Sequence, residues 1–389
     1  MYSHAGRIVE ESTIRQGVRI HRTQAQLVHE VLVENGVIDL TLLPLQIDDE
    51  SICFPLLKSI EHSSPLQKRI LKADPSIEIE MYAFTKISKK HSPKMQLQEL
   101  VQLYASRANI SFENLQKGMP KKWERLGKLL LFPKDAFEGQ AWSDFFVVHG
   151  MGFFVEIAKI FDVESIGKQQ PISKNNTRDA QVKILLGDSW VEFKQHQVYF
   201  GFDAAKVMFS SGNITERERM AKLDVTDEVI LDVFAGVGYY TLPIAVHGTP
   251  KKIHAFEINP LSIQGLSWGI QKNNVEHIVD VHAGDNLQNL PHFFETADRC
   301  ILGLLPSSES VWELCFDCLK QQGGVLHIHM NVEEERIETW VEETVGFFES
   351  LAINKGRKVA VTATHLEKVK WYAPRIRHVV LDLDVNYSA

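Results

Sequence analysis

The sequence predicts an α/β protein: a doubly wound, mostly parallel sheet with an antiparallel closing strand, preceded by smaller N-terminal α/β domains. Three observations carry this expectation. From about Asp224 onward, apolar runs of strand length alternate with runs of helix length. The first apolar run, ending at Leu231, meets an acid and then a glycine-rich turn, "LDVFAGVGYYTLPIA", residues 231–245. The tail, "RKVAVTATHLEKVKWYAPRIRHVVLDLDV", holds two β-rich stretches around Pro374, which read as a closing antiparallel pair.

The elements are read in order. "AQLVHEVLVENGVIDL" has helical spacing at Leu27, Val28, Val31 and Leu32, with Gly36 at the expected stop. "SICFPLLKSI" reads as a short strand, and Pro65 and Pro75 bracket an expected linker. Residues 97–117 are expected to be helical, and "KKWERLGKLLLFP" holds a strand at Leu129–Phe132. "FVVHGMG", "VKILLG" and "WVEFKQHQVYFGFD" are read as alternating segments of a small α/β domain, and the polar stretch "QPISKNNTRD" (170–179) as a loop. In the C-terminal part, strands are expected at 229–234, 252–257, 279–283, 299–305 and 325–330. Helices are expected at 240–247, 260–273, 308–321 and 333–351. The domain reading is 1–75, a basic helical linker at 76–120, a small α/β domain at 121–220 and the large sheet domain at 221–389.

At 389 residues the chain can bury two or three cores. Four cysteines do not make a disulfide scaffold, and no signal peptide or membrane-length apolar run is legible, so a cytoplasmic protein that does not enter a membrane is expected. The net charge of −8 argues against a general nucleic-acid binder. Yet between Lys86 and Lys134 eleven lysines and arginines face three glutamates, a block that can neutralise phosphates or form a solvated helical surface.

The glycine turn narrows the chemistry. Gly236 and Gly238 remove side chains where backbone N–H groups approach a ligand. Nineteen residues after Gly238 comes Glu257, at the end of the next strand, where an acid accepts hydrogen bonds from both ribose hydroxyls. A dinucleotide fingerprint needs a third glycine at 241, where Thr241 stands. Asp285 and Asn286 end the third strand and suit an adenine edge. Acids at successive strand ends would repel a pyrophosphate but favour a sulfonium, so S-adenosylmethionine is expected in a Rossmann-like methyltransferase fold. No metal is expected. Cys315-x-x-Cys318 has no second pair, and His327 and His329, which share one face of a strand, lie near the strand end where contact with the cofactor is open to them but a metal is not expected. Asp232 is read as a structural acid bonding the backbone of the turn.

Over residues 121–389 the chain resembles the tRNA wybutosine-synthesising aminocarboxypropyl transferases, relatives of the tRNA guanosine N1-methyltransferases. The resemblance rests on "KKWERLGKLLLFP", "KVMFSSGNITERERMA", "LDVFAGVGYYTLP", "EINP", "HAGDN", "LGLLPSSE", "GGVLHIHMNVE" and "YAPRIRHVVLDL". The methyltransferases carry Pro-Arg where Ser211 and Gly212 stand, and an Asn-Leu-Pro type motif where "LGLLPSS" stands. Both departures imply transfer of the 3-amino-3-carboxypropyl group to C7 of demethylwyosine in phenylalanine tRNA, with N1-methylation of guanosine as the alternative. The resemblance further implies that Ser210, Arg217, Phe234, Gly236, Gly238, Glu257, Asp285 and Asn286 hold the cofactor. Arg217 would aim the methionine arm through its carboxylate, against the alternative of an exposed helix position. Pro306, Ser307 and Ser308 would shape the target-base pocket, with a serine also capping the following helix. The general base stays unassigned.

Overall fold

The computed structural model describes residues 12–60, 64–85, 92–170, 182–209 and 211–387. The chain divides into two compact units, Met1–Ser92 and Pro93–Ala389.

The first unit is a four-stranded antiparallel sheet in the order Leu45–Gln46, Ser51–Pro55, Ser12–His21, Glu78–Thr85. Helices Ala25–Glu34 and Pro65–Ala73 bury Val28, Val31, Leu32 and Ile70 with Val18, Ile20 and Phe54 of the sheet. Two sequence expectations are corrected here. The stretch read as a linker between Pro65 and Pro75 is a helix. Pro65 takes its first position, where no N–H is needed, and the Ser64 hydroxyl accepts from the Gln67 N–H at 3.1 Å. The segment read as a basic helical linker opens with the strand Glu78–Thr85, which pairs with Ser12–Arg19. That partner lies some sixty residues upstream, so no local pattern announces it.

In the second unit, helices Pro93–Ala108, Phe112–Gln116, Gln140–His149 and Gly152–Phe161 pack on a four-stranded sheet. The sheet runs Glu124–Leu126, Leu129–Phe132, Ser165–Gln169, Val182–Leu186. Side chains of Leu129–Phe132 alternate between two cores. Leu130 and Phe132 enter an aromatic core with Trp142, Phe145 and Phe153, while Leu129 and Leu131 meet Val191, Phe202 and Val237. "FVVHGMG" is the exposed end of one helix and the start of the next: Val147 is 86% exposed, and Gly150, at φ +56°, makes the turn. Residues 171–179 of the polar loop lie outside the described residues.

The large sheet has seven strands. In chain order they are β1 (Val229–Asp232), β2 (Lys252–Glu257), β3 (Val279–Ala283), β4 (Arg299–Leu302), β5 (Gly323–Glu333), β6 (Val359–Ala373) and β7 (Ile376–Tyr387). Their spatial order is β3-β2-β1-β4-β5-β7-β6. β1 to β5 are mutually parallel, and β7 runs antiparallel between β5 and β6. This is the Rossmann-like methyltransferase architecture expected from the sequence. Helices Thr241–His247, Pro260–Lys272, Trp312–Cys318 and Ile337–Asn354 cover its faces. A hairpin, Trp190–Gln195 with Val198–Asp203, packs on the second of these helices, where Gly201 leaves room for the Trp268 ring. The strand order reverses at β1, so the crevice beyond the carboxyl ends of β1 and β4 is where such a sheet takes ligands. Among the described residues no helix is long and apolar enough to cross a membrane.

Candidate active site

The glycine turn joins β1 to the helix Thr241–His247. Gly236 and Gly238 have φ of +57° and +93°. A Cβ at Gly236 would stand 2.5 Å from the Tyr239 ring, so both backbone freedom and space require glycine. Asp232, fully buried below the turn, accepts from the Thr241 hydroxyl at 2.7 Å and its N–H at 3.2 Å. Burial raises its pKa to about 6. It faces the start of the helix rather than the crevice.

Glu257 ends β2 beside the turn. One carboxylate oxygen accepts from the Gly236 N–H at 2.8 Å and the other from the Asn259 N–H at 2.7 Å. Burial pushes its pKa up, against the pull of these backbone donors. The carboxylate is held in one orientation with lone pairs to spare, as a vicinal diol requires. The end of β3 is tied to the same corner. The Gly284 N–H donates to the Glu257 carbonyl at 2.9 Å, and the Asn286 amide donates to the Val233 carbonyl at 3.0 Å. Asp285 accepts from the Leu287 N–H at 3.0 Å, capping a one-turn helix. Thus Phe234, Gly236, Gly238, Glu257, Asp285 and Asn286 converge at three adjacent strand ends.

Arg217 sits on the helix Ile214–Met220, which crosses the sheet face near β7. It is 2% exposed, so it is not a solvated helix residue. Its Nε donates to Gln195 Oε1 at 2.9 Å, and its guanidinium lies over the Phe209 ring, 4.8 Å from the centroid. Burial lowers its pKa. Lys370 of β6 reaches the same place, its ammonium 3.1 Å from where a Gly212 Cβ would stand. Two cations in a partly dry space suit an anionic group. Ser210 lies outside the described residues, as do Lys86, Lys89 and Lys90 of the basic block.

The loop after β4 carries the other sequence-chosen residues. The Pro306 carbonyl accepts from the Asn331 N–H at 2.9 Å. Ser307 accepts from the Glu309 N–H at 3.1 Å, and Ser308, fully buried, accepts from the Trp312 indole at 3.1 Å. Both serines are therefore engaged in shaping the loop and the following helix.

The sequence singled out His327 and His329 on one strand face, but it missed the partners that make this a polar face beneath the Arg217 helix. Arg299 bonds His327 at 2.7 Å, His327 bonds Asp382 at 2.6 Å, Asp382 bonds Arg219 at 2.6 Å, and Arg219 pairs with Glu216 at 2.8 Å. His329 and His378 share a bond of 3.0 Å. The signal was legible as "HIHMN", 327–331, a polar residue at every second position of an otherwise apolar strand. All four cysteines are buried and free. No group of three or more metal-ligating side chains occurs among the described residues.

Comparison with known proteins then places the chain. The model of the TRM5/TYW2 methyltransferase domain matches residues 191–360. The chain is 35% identical over 328 residues to the tRNA wybutosine-synthesizing protein 2/3/4 of Arabidopsis thaliana, covering 84% of this chain but 32% of that one. It thus spans about a third of that plant relative. It is 30% identical over 397 residues to the tRNA wybutosine-synthesizing protein 2 homolog of Homo sapiens, covering 86% of each. Among solved structures, TYW2 of P. horikoshii in complex with MeSAdo superposes with a TM-score of 0.59 at 28% identity, over 75% of this chain and all of that one. With the seven-strand order, the glycine turn and this similarity along most of both chains, the protein belongs to the tRNA wybutosine-synthesizing protein 2 family.

Proposed function

We propose that this protein transfers the 3-amino-3-carboxypropyl group of S-adenosylmethionine to C7 of 4-demethylwyosine, next to the anticodon of phenylalanine tRNA. The observation that supports the reading is the Glu257 carboxylate, fixed at the glycine turn by the Gly236 and Asn259 N–H groups with lone pairs left for a diol. The donor set fits the cofactor. It offers acids and an amide at strand ends, and Arg217 and Lys370 supply cations suited to a carboxylate. The relative solved with MeSAdo supports the same assignment.

S-adenosylmethionine, when bound, supplies three electrophilic carbons on one sulfonium. The chain's residues decide which one meets the nucleophile. Glu257 would hold the ribose, Asp285 and Asn286 the adenine end, and Gly236 and Gly238 the close approach of the backbone. Arg217, pinned by Gln195 and Phe209, would grip the arm's carboxylate and hold its γ-carbon toward the base. In the proposed reaction C7 of the base would attack that carbon, the bond to sulfur would break with its electron pair to release methylthioadenosine, and the C7 proton would pass to water. Gly212, where the methyltransferases carry Arg, lets the end of Lys370 approach the backbone closely. The exposed Lys94, Arg107, Lys117, Lys121, Lys122 and Lys134 would meet tRNA phosphates.

The test is mass spectrometry of the nucleoside after incubation of the protein with S-adenosylmethionine and phenylalanine tRNA bearing demethylwyosine. The expected gain is ~101 Da, set by which carbon is aimed. A gain of ~14 Da would mean that the methyl is presented instead, as in the guanosine N1-methyltransferases.

A further inference from the structure

One face of the large sheet changes character along its length. Positions 327, 329 and 331 of β5 point to the same side, and across the ladder Asp382 pairs with His327 and His378 with Asn331. Lys370 continues the row on β6, opposite His378. At the inner end every charged group is bonded, through Arg299, His327, Asp382, Arg219 and Glu216. At the outer end the bonding stops. Both amide atoms of Asn331, Nε2 of His329, Nδ1 of His378 and Oδ1 of Asn213 are out of reach of solvent and have no hydrogen-bond partner.

The histidine pair sharpens this. Its one internal bond joins His329 Nδ1 to His378 Nε2. Two neutral imidazoles carry two N–H groups, and one is used in that bond. The other must sit on His329 Nε2 or His378 Nδ1, and the remaining nitrogen is a lone pair. Whichever tautomer holds, the pair presents one open donor and one open acceptor. Asn331 presents the same combination in one plane. Unsatisfied buried polar atoms are expensive, and a cluster of them needs an explanation.

Its position supplies one. β4 ends at Leu302, opposite Ile328, so His329 and Asn331 lie past its carboxyl end, the end of such a sheet at which ligands bind. The Asn331 N–H holds the Pro306 carbonyl, which ties the loop after β4 to this spot. The Tyr240 ring lies against His329 at 4.9 Å, and Gly303 is against Tyr240.

We propose that Asn331, with His378 beside it, reads the hydrogen-bonding edge of the target base. This rests on the function proposed above. A side-chain amide offers one donor and one acceptor side by side, the pattern that matches a nucleobase edge. A neutral amide and a histidine pair suit a neutral heterocycle better than the ammonium or carboxylate of the methionine arm.

The test uses the full-length chain with Asn331→Leu and Asn331→Ala, both of which keep the backbone bond to Pro306. S-adenosylmethionine affinity is measured by calorimetry, and single-turnover transfer to demethylwyosine tRNA by mass spectrometry at saturating cofactor. The expected result is cofactor affinity within about twofold of wild type and transfer slowed about 10- to 100-fold. Transfer at the wild-type rate overturns the assignment. Equal losses in cofactor affinity and transfer also overturn it, since Asn331 would then serve the arm. Wild-type protein that modifies no base at all sinks the proposed function, and the reader role with it. Wild-type protein that transfers methyl sinks only the choice of carbon, and the variants still report on base reading.

Discussion

The inner and outer ends of the β5–β7 face are built from the same residue types and do opposite things. At the inner end, Asp382 takes bonds from His327 and Arg219, and these hold its carboxyl far below the usual range despite burial. At the outer end, His329 and His378 satisfy only each other, and Asn331 satisfies nothing with its side chain. A closed polar network locks one element onto another, here the Arg217 helix onto the sheet. An open one weakens the free protein and is kept where a ligand completes it.

The largest effect expected from breaking this contrast is at Asp382. Asp382→Ala strands Arg219 and His327 in a buried site and should cost about 3–5 kcal/mol in denaturant unfolding. A loss below 1 kcal/mol would mean that the inner end is no more structural than the outer. Glu257→Ala probes the opposite corner of the crevice. Cofactor affinity should fall roughly 100-fold in calorimetry while the fold survives, since two bonds to a charged acceptor are removed. Unchanged affinity would remove Glu257 from the ribose.

Next in size is a pH effect. Burial lowers the His378 pKa to about 4 from an ordinary 6.5. The unfolded chain therefore binds the extra proton first, and neutral His378 loses stability for the fold as pH drops from 6.5 toward 4. Asp232, raised to about 6, works in the reverse direction, so the difference between wild type and His378→Gln removes its contribution and reads the His329–His378 pair. Wild type should lose on the order of 3 kcal/mol relative to the variant across that window. A constant difference would show that His378 is not buried neutral.

Smaller effects follow on the surface. Arg125 bonds the carbonyls of Gly127, Phe161 and Asp162, and Lys128 bonds Asp162, so these two cations serve the fold. Lys121→Ala with Lys122→Ala should reduce the slope of log tRNA affinity against log salt by about 1–2. Arg125→Ala should leave that slope unchanged. The smallest stability effect is expected for Asn331→Leu, neutral or stabilising by up to about 1 kcal/mol, because an unsatisfied amide is removed. A loss as large as that of Asp382→Ala would make Asn331 structural and erase the contrast.

Much of the large sheet was legible because its cues are local. Strand-length apolar runs, helix starts such as Asn259 before Pro260, and the Gly236–Gly238 turn each depend on a few neighbouring residues. The crevice residues Glu257, Asp285 and Asn286 could be chosen because they follow strands that local pattern identifies. The strand Glu78–Thr85 could not be assigned, since its partner is distant in sequence and it buries only Phe84 fully. The helix at Pro65 was misread because proline ends one element and begins another with equal ease.

By itself, then, the sequence determined the alternation of strand and helix, the glycine turn, and the acids at strand ends, because these are set by spacing along the chain. Only the tertiary structure decided what Arg217, His378 and Asn331 face. Their helix and strands come together through contacts between residues far apart in the chain, such as Arg219 with Asp382 across 163 positions. Whether a polar side chain ends up paired, buried or open to a ligand depends on partners that no local pattern names.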